Sequence, residues 1–385
     1  MKPFFVPCLL LLLAAQAPSP GPHPVAITHV TIIDVTGGPS QPNMTVIVSG
    51  DRVAEMGKSS AVQTPRDAQV VDATGKFLIP GLWDMHVHWS DTDYLPLFLA
   101  NGVTGVRIMW GTPIHQQWRA QSADGTLLAP RLVIASKIID GPKPYWPSST
   151  GVSTEAEARQ AVIDAKQSGA DFVKVYTFLP REEYFAIVDE SRKQGIPFAG
   201  HVPLSVSAEE ASNAGQRSFE HLLGILPACS TRNAELAEAD REDLADAISG
   251  KEHALFASHA TSLRQVRLDT YSPEKAATLF AVLKKNGTWQ CPTLTVLRSL
   301  ALIDDASLTD DPRMKYMPRW ARALWSPSSA AEMYGKHPPG DLALAKKEFG
   351  LQLRVVGAMQ RARGWNPRGH RYHESLLLSR LQPSR

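Results

Sequence analysis

Ile79-Pro-Gly-Leu-Trp-Asp-Met-His-Val-His-Trp89 reads as an apolar strand that ends in two histidines, His86 and His88. Alternate side chains of a β-strand point to one face, so the pair presents two imidazoles to the same side. Imidazole binds zinc and neighbouring divalent metals well, and catalytic metals sit where three or more such groups converge with a coordination position left open. The strand therefore offers half of a metal site.

Downstream of Pro80, short apolar strands alternate with helix-like segments, the pattern of βα units on a parallel sheet. Strands are predicted at Leu82–His88, Val103–Met109, Leu132–Ser136, Phe172–Tyr176, Phe198–His201, Ser218–His221 and Thr288–Leu294. Helices are predicted over Glu155–Ser168, Arg181–Gln194 and Ala208–Ala214, with Thr154, Pro180 and Ser207 as their starting residues. This is one strand short of a (β/α)8 TIM barrel, whose active sites lie at the C-terminal ends of the strands. His86 and His88 end the first predicted strand, Lys174 lies near the end of the fourth, His201 ends the fifth and His221 the sixth. Any one of these histidines alone reads as a hydrogen-bonded core residue. In this order on successive strands, with a buried-looking lysine, they read as one site.

Upstream, Val25–Asp34, Thr45–Val48, Arg52–Met56 after the Gly50-Asp51 turn, Val70–Asp72 and Phe77–Ile79 form a turn-rich β pattern. Residues 25–79 thus read as part of a small sheet domain, and residues 80–362 as the barrel. Residues 1–17 read as a cleaved signal peptide, with Lys2, the apolar run Phe4 to Ala15 and the small residues of Ala15-Gln-Ala17, and residues 18–24 as an unpacked leader. The apolar run is too short for an ordinary membrane span, so a secreted or periplasmic protein, free of the membrane after cleavage, is expected. Cys8 lies inside that run, which argues against a lipid-anchored cysteine. Cys229 and Cys291 are then the remaining cysteines, and a disulfide and two free thiols both stay open. With 40 basic and 38 acidic residues the net charge is +2, which gives no argument for nucleic acid or an anionic membrane as partner.

The motifs Pro80-Gly-Leu-Trp-Asp-Met-His-Val-His88, Gly102-Val-Thr-Gly-Val-Arg107, Ala170-Asp-Phe-Val-Lys-Val-Tyr176, Gly200-His-Val202 and Glu220-His-Leu222 together resemble the amidohydrolase superfamily, in particular its prolidase-like and imidazolonepropionase-like branch. The resemblance covers about residues 25 to 362 and implies a (β/α)8 barrel beside a small β-sandwich built from both chain termini. It implies two divalent metal ions, zinc by default, with manganese, iron or cobalt fitting the same ligands. His86 and His88 would bind the more buried ion and His201 and His221 the second, with Lys174 bridging them as a carbamate. Lys174, His221 and Tyr176 are the residues it assigns to catalysis, although Tyr176 reads equally as core packing. Two metals about 3.5–4 Å apart hold a bridging hydroxide that attacks a carbonyl. The activity implied is hydrolysis of an amide or peptide C–N bond in a dipeptide or N-acyl amino acid. A lactonase or phosphotriesterase on the same site, and a non-catalytic metal- or ligand-binding remnant, are the alternatives. The partner expected is a small-molecule or dipeptide substrate, and an oligomer is left open. Tyr145 and Trp146 line a pocket or pack, and the insertion from Leu297 to Lys347, with Trp320, Trp325 and Tyr334, is a lid or a set of barrel helices.

The family pattern breaks after Val355–Ala362. An aspartate, usually in Gly-Thr-Asp, is expected on the last strand as metal ligand and proton shuttle, yet residues 363–385 contain no aspartate and no strand pattern. Read one nucleotide later, a back-translation of this Arg-, Pro-, Ser- and Leu-rich tail permits Gly-Thr-Asp where that strand belongs. Residues 363–385 are therefore expected to be out of frame, with His370 and His373 not ligands, and a natural divergent tail is the alternative. The barrel is expected to be incomplete, and the chain to fold poorly and hydrolyse weakly.

Overall fold

A computed structural model describes residues 23–88, 91–250, 260–305 and 340–362, with isolated positions at 312, 315, 319 and 322. Residues 1–22, where a signal peptide and leader are expected, the tail 363–385 with His370 and His373, Trp89, and most of the insertion, including Trp320, Trp325 and Tyr334, lie outside the described residues. The chain divides into two compact units between Pro80 and Gly81. No helix among the described residues is long and apolar enough to cross a membrane.

The first unit is a five-stranded sheet of β1 (Val25–Ile32), β2 (Gln41–Ser49), β3 (Arg52–Lys58), β4 (Gln69–Asp72) and β5 (Phe77–Leu78). β2 and β3 form the expected hairpin, Ser49 facing Arg52 across Gly50 at φ +59°, while β4 and β5 run parallel to β1. Val30, Ile32, Met44, Val46 and Ala73 make its core.

The second unit is a parallel sheet of β6 (Leu82–Val87), β7 (Val103–Ile108), β8 (Arg131–Asp140), β10 (Phe172–Val175), β11 (Phe198–Gly200), β12 (Ser218–Glu220) and β13 (Trp289–Cys291), in that spatial order, with β9 (Thr150–Gly151) beside β8. This nearly closed seven-stranded barrel is the fold class the sequence predicts. Among the described residues no strand joins β13 to β6. Helices α1 (Leu95–Ala100), α2 (Pro113–Ala123), α3 (Glu155–Gln167), α4 (Arg181–Gln194) and α5 (Ala208–Asn213) connect successive strands. Thr154 and Ser207 cap α3 and α5 by accepting from the backbone N–H of Glu157 and Glu210, as the composition around them predicts. Between β12 and β13 lie α6 (Ile225–Ala228), α7 (Asn233–Ser249), α8 (Ala260–Asp269) and α9 (Pro273–Asn286), and after β13 come α10 (Leu294–Ala301) and α11 (Asp341–Ala362). α11 is held to α8 by Arg264, which pairs with Asp341 and Glu348, and by Arg267, which pairs with Glu348.

Two barrel strands end three or more residues away from their predicted ends. β8 runs on from Ser136 to Asp140, and the last strand stops at Cys291, because Thr293 takes the left-handed conformation at φ +46° and Leu294 opens α10.

Strand alternation sorts the side chains. Val173 and Val175 of β10, Phe198 of β11 and Phe219 of β12 pack outward in the large helix-facing core, with Leu279, Phe280 and Val355. Met109, Val133, Ala135, Phe172 and Ala199 form a second, interior cluster. Lys174, two residues on from Phe172, must therefore point into the barrel. Gly200 fixes how closely β11 approaches there: it sits at φ +141°, and a Cβ on it would meet the Val175 carbonyl oxygen at 2.1 Å and Lys174 Cδ at 3.1 Å. Gly200→Ala is expected to cost about 2–4 kcal/mol of stability and roughly 3–7 °C in Tm, read by circular-dichroism melting. An unchanged Tm would mean that β10 and β11 are not in this contact.

Candidate metal centre

The structure brings all six predicted site residues together at the C-terminal ends of the barrel strands. His86 Nε2 and His88 Nε2 stand 2.9 Å apart, and the His86 ring lies 4.5 Å from that of His221, which lies 5.0 Å from His201. Tyr176 stacks on His201 at 3.9 Å, and Lys174 Nζ sits 5.5 Å from the Tyr176 ring centroid. Three of the four imidazole orientations have a visible cause. His86 Nδ1 donates to Glu220 Oε2 at 2.8 Å, His201 Nδ1 lies 2.7 Å from Thr177 Oγ1, and His221 Nδ1 lies 2.6 Å from Thr293 Oγ1. With Nδ1 held from behind, Nε2 is the nitrogen presented to the cluster. His221, Leu222 and Thr293 all adopt left-handed backbone, at φ +60°, +59° and +46°. Such strain in residues with a Cβ is kept where the surroundings over-determine it, and here it seats one imidazole and the hydroxyl behind it.

Sequence reasoning quoted Glu220 and Arg107 in motifs without giving them roles. Both are buried, and they form the site's floor. Arg107 donates to Glu220 Oε1 at 2.6 Å, to Ser218 Oγ at 2.9 Å and to the Met85 carbonyl at 2.7 Å, while Ser218 Oγ donates to Glu220 Oε1 at 2.7 Å. The signal was available: an arginine closing an apolar strand and an acid just before a strand-end histidine are both costly to bury unless they meet. Buried polar contacts fix the loops too. Asp140 accepts from the backbone N–H of Phe178 at 2.7 Å and of Tyr145 at 3.2 Å, and Trp146 Nε1 donates to Tyr176 Oη at 2.6 Å.

The electrostatics favour uncharged ligands. Burial, then the neighbouring positive groups, hold His86, His201 and His221 well below the usual imidazole range. Burial, then Lys174, draws His88 down to about 3, although the residue as a whole is exposed, and solvent moderates that shift. Burial lowers Lys174 to about 8, partly offset by Glu220, and its Nζ is buried with no hydrogen-bond partner among the described residues. Four neutral imidazoles around an orphaned buried amine are poor as a protein core and suitable as a cation site. Ligand nitrogens at about 2.0–2.1 Å from one metal stand roughly 2.9–3.3 Å apart, which the His86–His88 pair matches. The residues fit divalent metal ions.

Ligand atoms of His86, Glu220 and Cys291 also lie within 4.8 Å of one another. That group is a weaker candidate, because both Glu220 oxygens are engaged by Arg107, Ser218 and His86, and burial beside Glu220 pushes the Cys291 thiol up, away from thiolate. Cys229 and Cys291 are free thiols, which settles the question left open by their spacing.

A parallel barrel with imidazoles and an interior lysine at the C-terminal ends of its strands is an arrangement suited to holding metal ions. No family model matches the chain. Among curated proteins it is 39% identical over 74 residues to a deacetylase of Agrobacterium fabrum, covering 19% of this chain and 18% of that protein. It is 24% identical over 309 residues to the enamidase of Eubacterium barkeri, covering 70% of this chain and 72% of that enzyme. Among solved structures, bottromycin amidohydrolase superposes with a TM-score of 0.62 at 25% identity, over 89% of this chain and 67% of that one. The match to the deacetylase thus spans under a fifth of that relative. Together these likenesses point to the amidohydrolase superfamily.

Two outcomes follow from this geometry. Glu220→Gln removes the charge that holds His86 and balances Arg107, and is expected to weaken metal binding about 10–100-fold in competition with a fluorescent chelator; unchanged affinity would remove Glu220 from the site. The second concerns pH. In chelator-treated protein the cluster histidines bind no proton when folded but take one up when unfolded below about pH 6.5, so the unfolded state holds more protons and stability falls as pH drops. Tm should decline from pH 7 to 5, and a flat or rising Tm over that range would contradict neutral buried imidazoles.

Proposed function

We propose that this chain is a hydrolase of amide or peptide C–N bonds in small substrates of the dipeptide or N-acyl amino acid class, dependent on two divalent metal ions, zinc by default. The observation that carries the reading is the orphaned, buried Lys174 Nζ among four imidazoles. The names of the enamidase and bottromycin amidohydrolase support the bond type. His86 and His88 would hold one ion, and His201 and His221 the other. Lys174 would join them as a carbamate: its neutral amine forms an N–C bond to carbon dioxide and releases a proton, giving two anionic oxygens where an ammonium offers none. When bound, the ions would activate water and polarise the scissile carbonyl.

The remaining steps belong to side chains. The Arg107–Glu220 pair holds the His86 ring in place, and Tyr176, fixed by Trp146 and stacked on His201, is set to hydrogen-bond the substrate. Proton transfer to the leaving amine is the weak step. The family's last-strand aspartate has no counterpart in residues 363–385, so turnover is expected to be slow. Export is proposed on the apolar run of Phe4 to Ala15 alone.

The test is metal content together with hydrolysis of dipeptides, N-acyl amino acids, lactones and phosphotriesters. Slow, metal-dependent cleavage of an amide that is lost in Lys174→Ala is expected. Preference for a lactone or phosphotriester would replace the substrate class, and metal bound with nothing hydrolysed would make this a binding protein.

A further inference from the structure

The imidazole cluster is half of a closed circuit of rings. From His86 the circuit passes to His88 at 4.8 Å, to Trp110 at 6.4 Å and to Trp146 at 6.3 Å; Trp146 donates to the Tyr176 hydroxyl, and Tyr176 leads back through His201 and His221. The imidazole half is the proposed metal centre. Trp110, Trp146 and Tyr176 make the other half, extended by Tyr145 packed edge-on to Trp146 at 4.9 Å.

Trp110 stands out within it. Its indole Nε1 is buried and has no hydrogen-bond partner among the described residues. Indole is a donor only, and a buried donor without an acceptor is normally avoided. The residue is also rigidly placed at the C-terminal end of β7. Met109 on one side donates its backbone N–H to the Val87 carbonyl at 2.9 Å, and Gly111 on the other donates to that of Ser136 at 3.0 Å. Gly111 runs so close to β8 that a Cβ on it would lie 1.8 Å from the Ala135 carbonyl oxygen. A fixed, unsatisfied donor beside His88, at the edge of an aromatic wall, is arranged for an oxygen that arrives with a ligand.

We propose that Trp110 Nε1–H anchors a carboxylate or carbonyl oxygen of the substrate while Trp146 and Tyr145 pack against its apolar or aromatic side group, so that this site selects N-acyl amino acids with a large apolar side chain. This rests on the amide-hydrolase reading for the word substrate, but not for the binding itself.

The probe is N-acetyl-L-phenylalanine, with N-acetylglycine as the ringless comparison, titrated by calorimetry into the full chain. The wild type should bind the phenylalanine compound at least tenfold more tightly than the glycine one. Trp110→Phe, which keeps the ring and deletes the donor, should weaken phenylalanine binding about tenfold with an unchanged melting curve. In the wild type, the indole ¹⁵N–H resonance that is missing from Trp110→Phe should move on adding the probe, a readout that does not depend on how the variant folds. Equal affinity of wild type and Trp110→Phe, a stationary indole resonance, or no binding of the probe would each overturn the proposal. Trp110-dependent binding without hydrolysis in the metal-loaded protein would leave this proposal standing and remove the hydrolase reading.

Discussion

One buried chain of charge, Arg107 to Glu220 to His86, holds the site in place. A guanidinium and a carboxylate, each almost fully buried, meet at 2.6 Å in the barrel interior, and the carboxylate's second oxygen accepts a hydrogen bond from His86 Nδ1–H at 2.8 Å. Neither charge is tolerable there alone, since an unpaired buried ion destabilises by several kcal/mol. The pair also links strands far apart in sequence: β7 supplies Arg107, β12 supplies Glu220 and Ser218, and β6 supplies His86 and the Met85 carbonyl. The contact that stitches β6 and β7 to β12 is thus the one that fixes the tautomer and direction of the first metal ligand.

Everything above that floor follows from strand ends. Alternation turns Lys174 inward beside Phe172, and left-handed turns after β12 and β13 aim His221 and set Thr293 behind it. Burial then strips the imidazoles of protons and leaves the Lys174 amine without a partner, which gives the cluster its affinity for cations. The aromatic side of the ring circuit is built differently, with Trp110 on the β7–α2 turn and Trp146 on the loop after β8.

The barrel and its ligand histidines were legible because period-2 apolar strands and strand-end polar residues are local signals. The α3, α4 and α5 boundaries were legible for the same reason, through Thr154, Pro180 and Ser207. Glu220 and Arg107 were written in the motifs, but their meeting joins residues 113 positions apart, which no local pattern encodes. The four helices between β12 and β13 escaped reading because α7 is charged on most faces and carries little amphipathic signal, and the early end of β13 depends on the left-handed Thr293, a conformation that threonine rarely adopts. Trp146 stayed open between pocket lining and packing, and Trp110 carried no signal, since the missing acceptor of its indole is visible only in three dimensions.

X-ray absorption at the zinc edge of the zinc-loaded chain tests the assignment of the metal centre most directly. A shell of nitrogen and oxygen at about 2.0–2.1 Å with imidazole scattering is expected from His86, His88, His201 and His221. A sulfur shell at about 2.3 Å would place the metal on Cys291 beside Glu220 instead, and failure to retain zinc would mean that the imidazole cluster is not a metal centre.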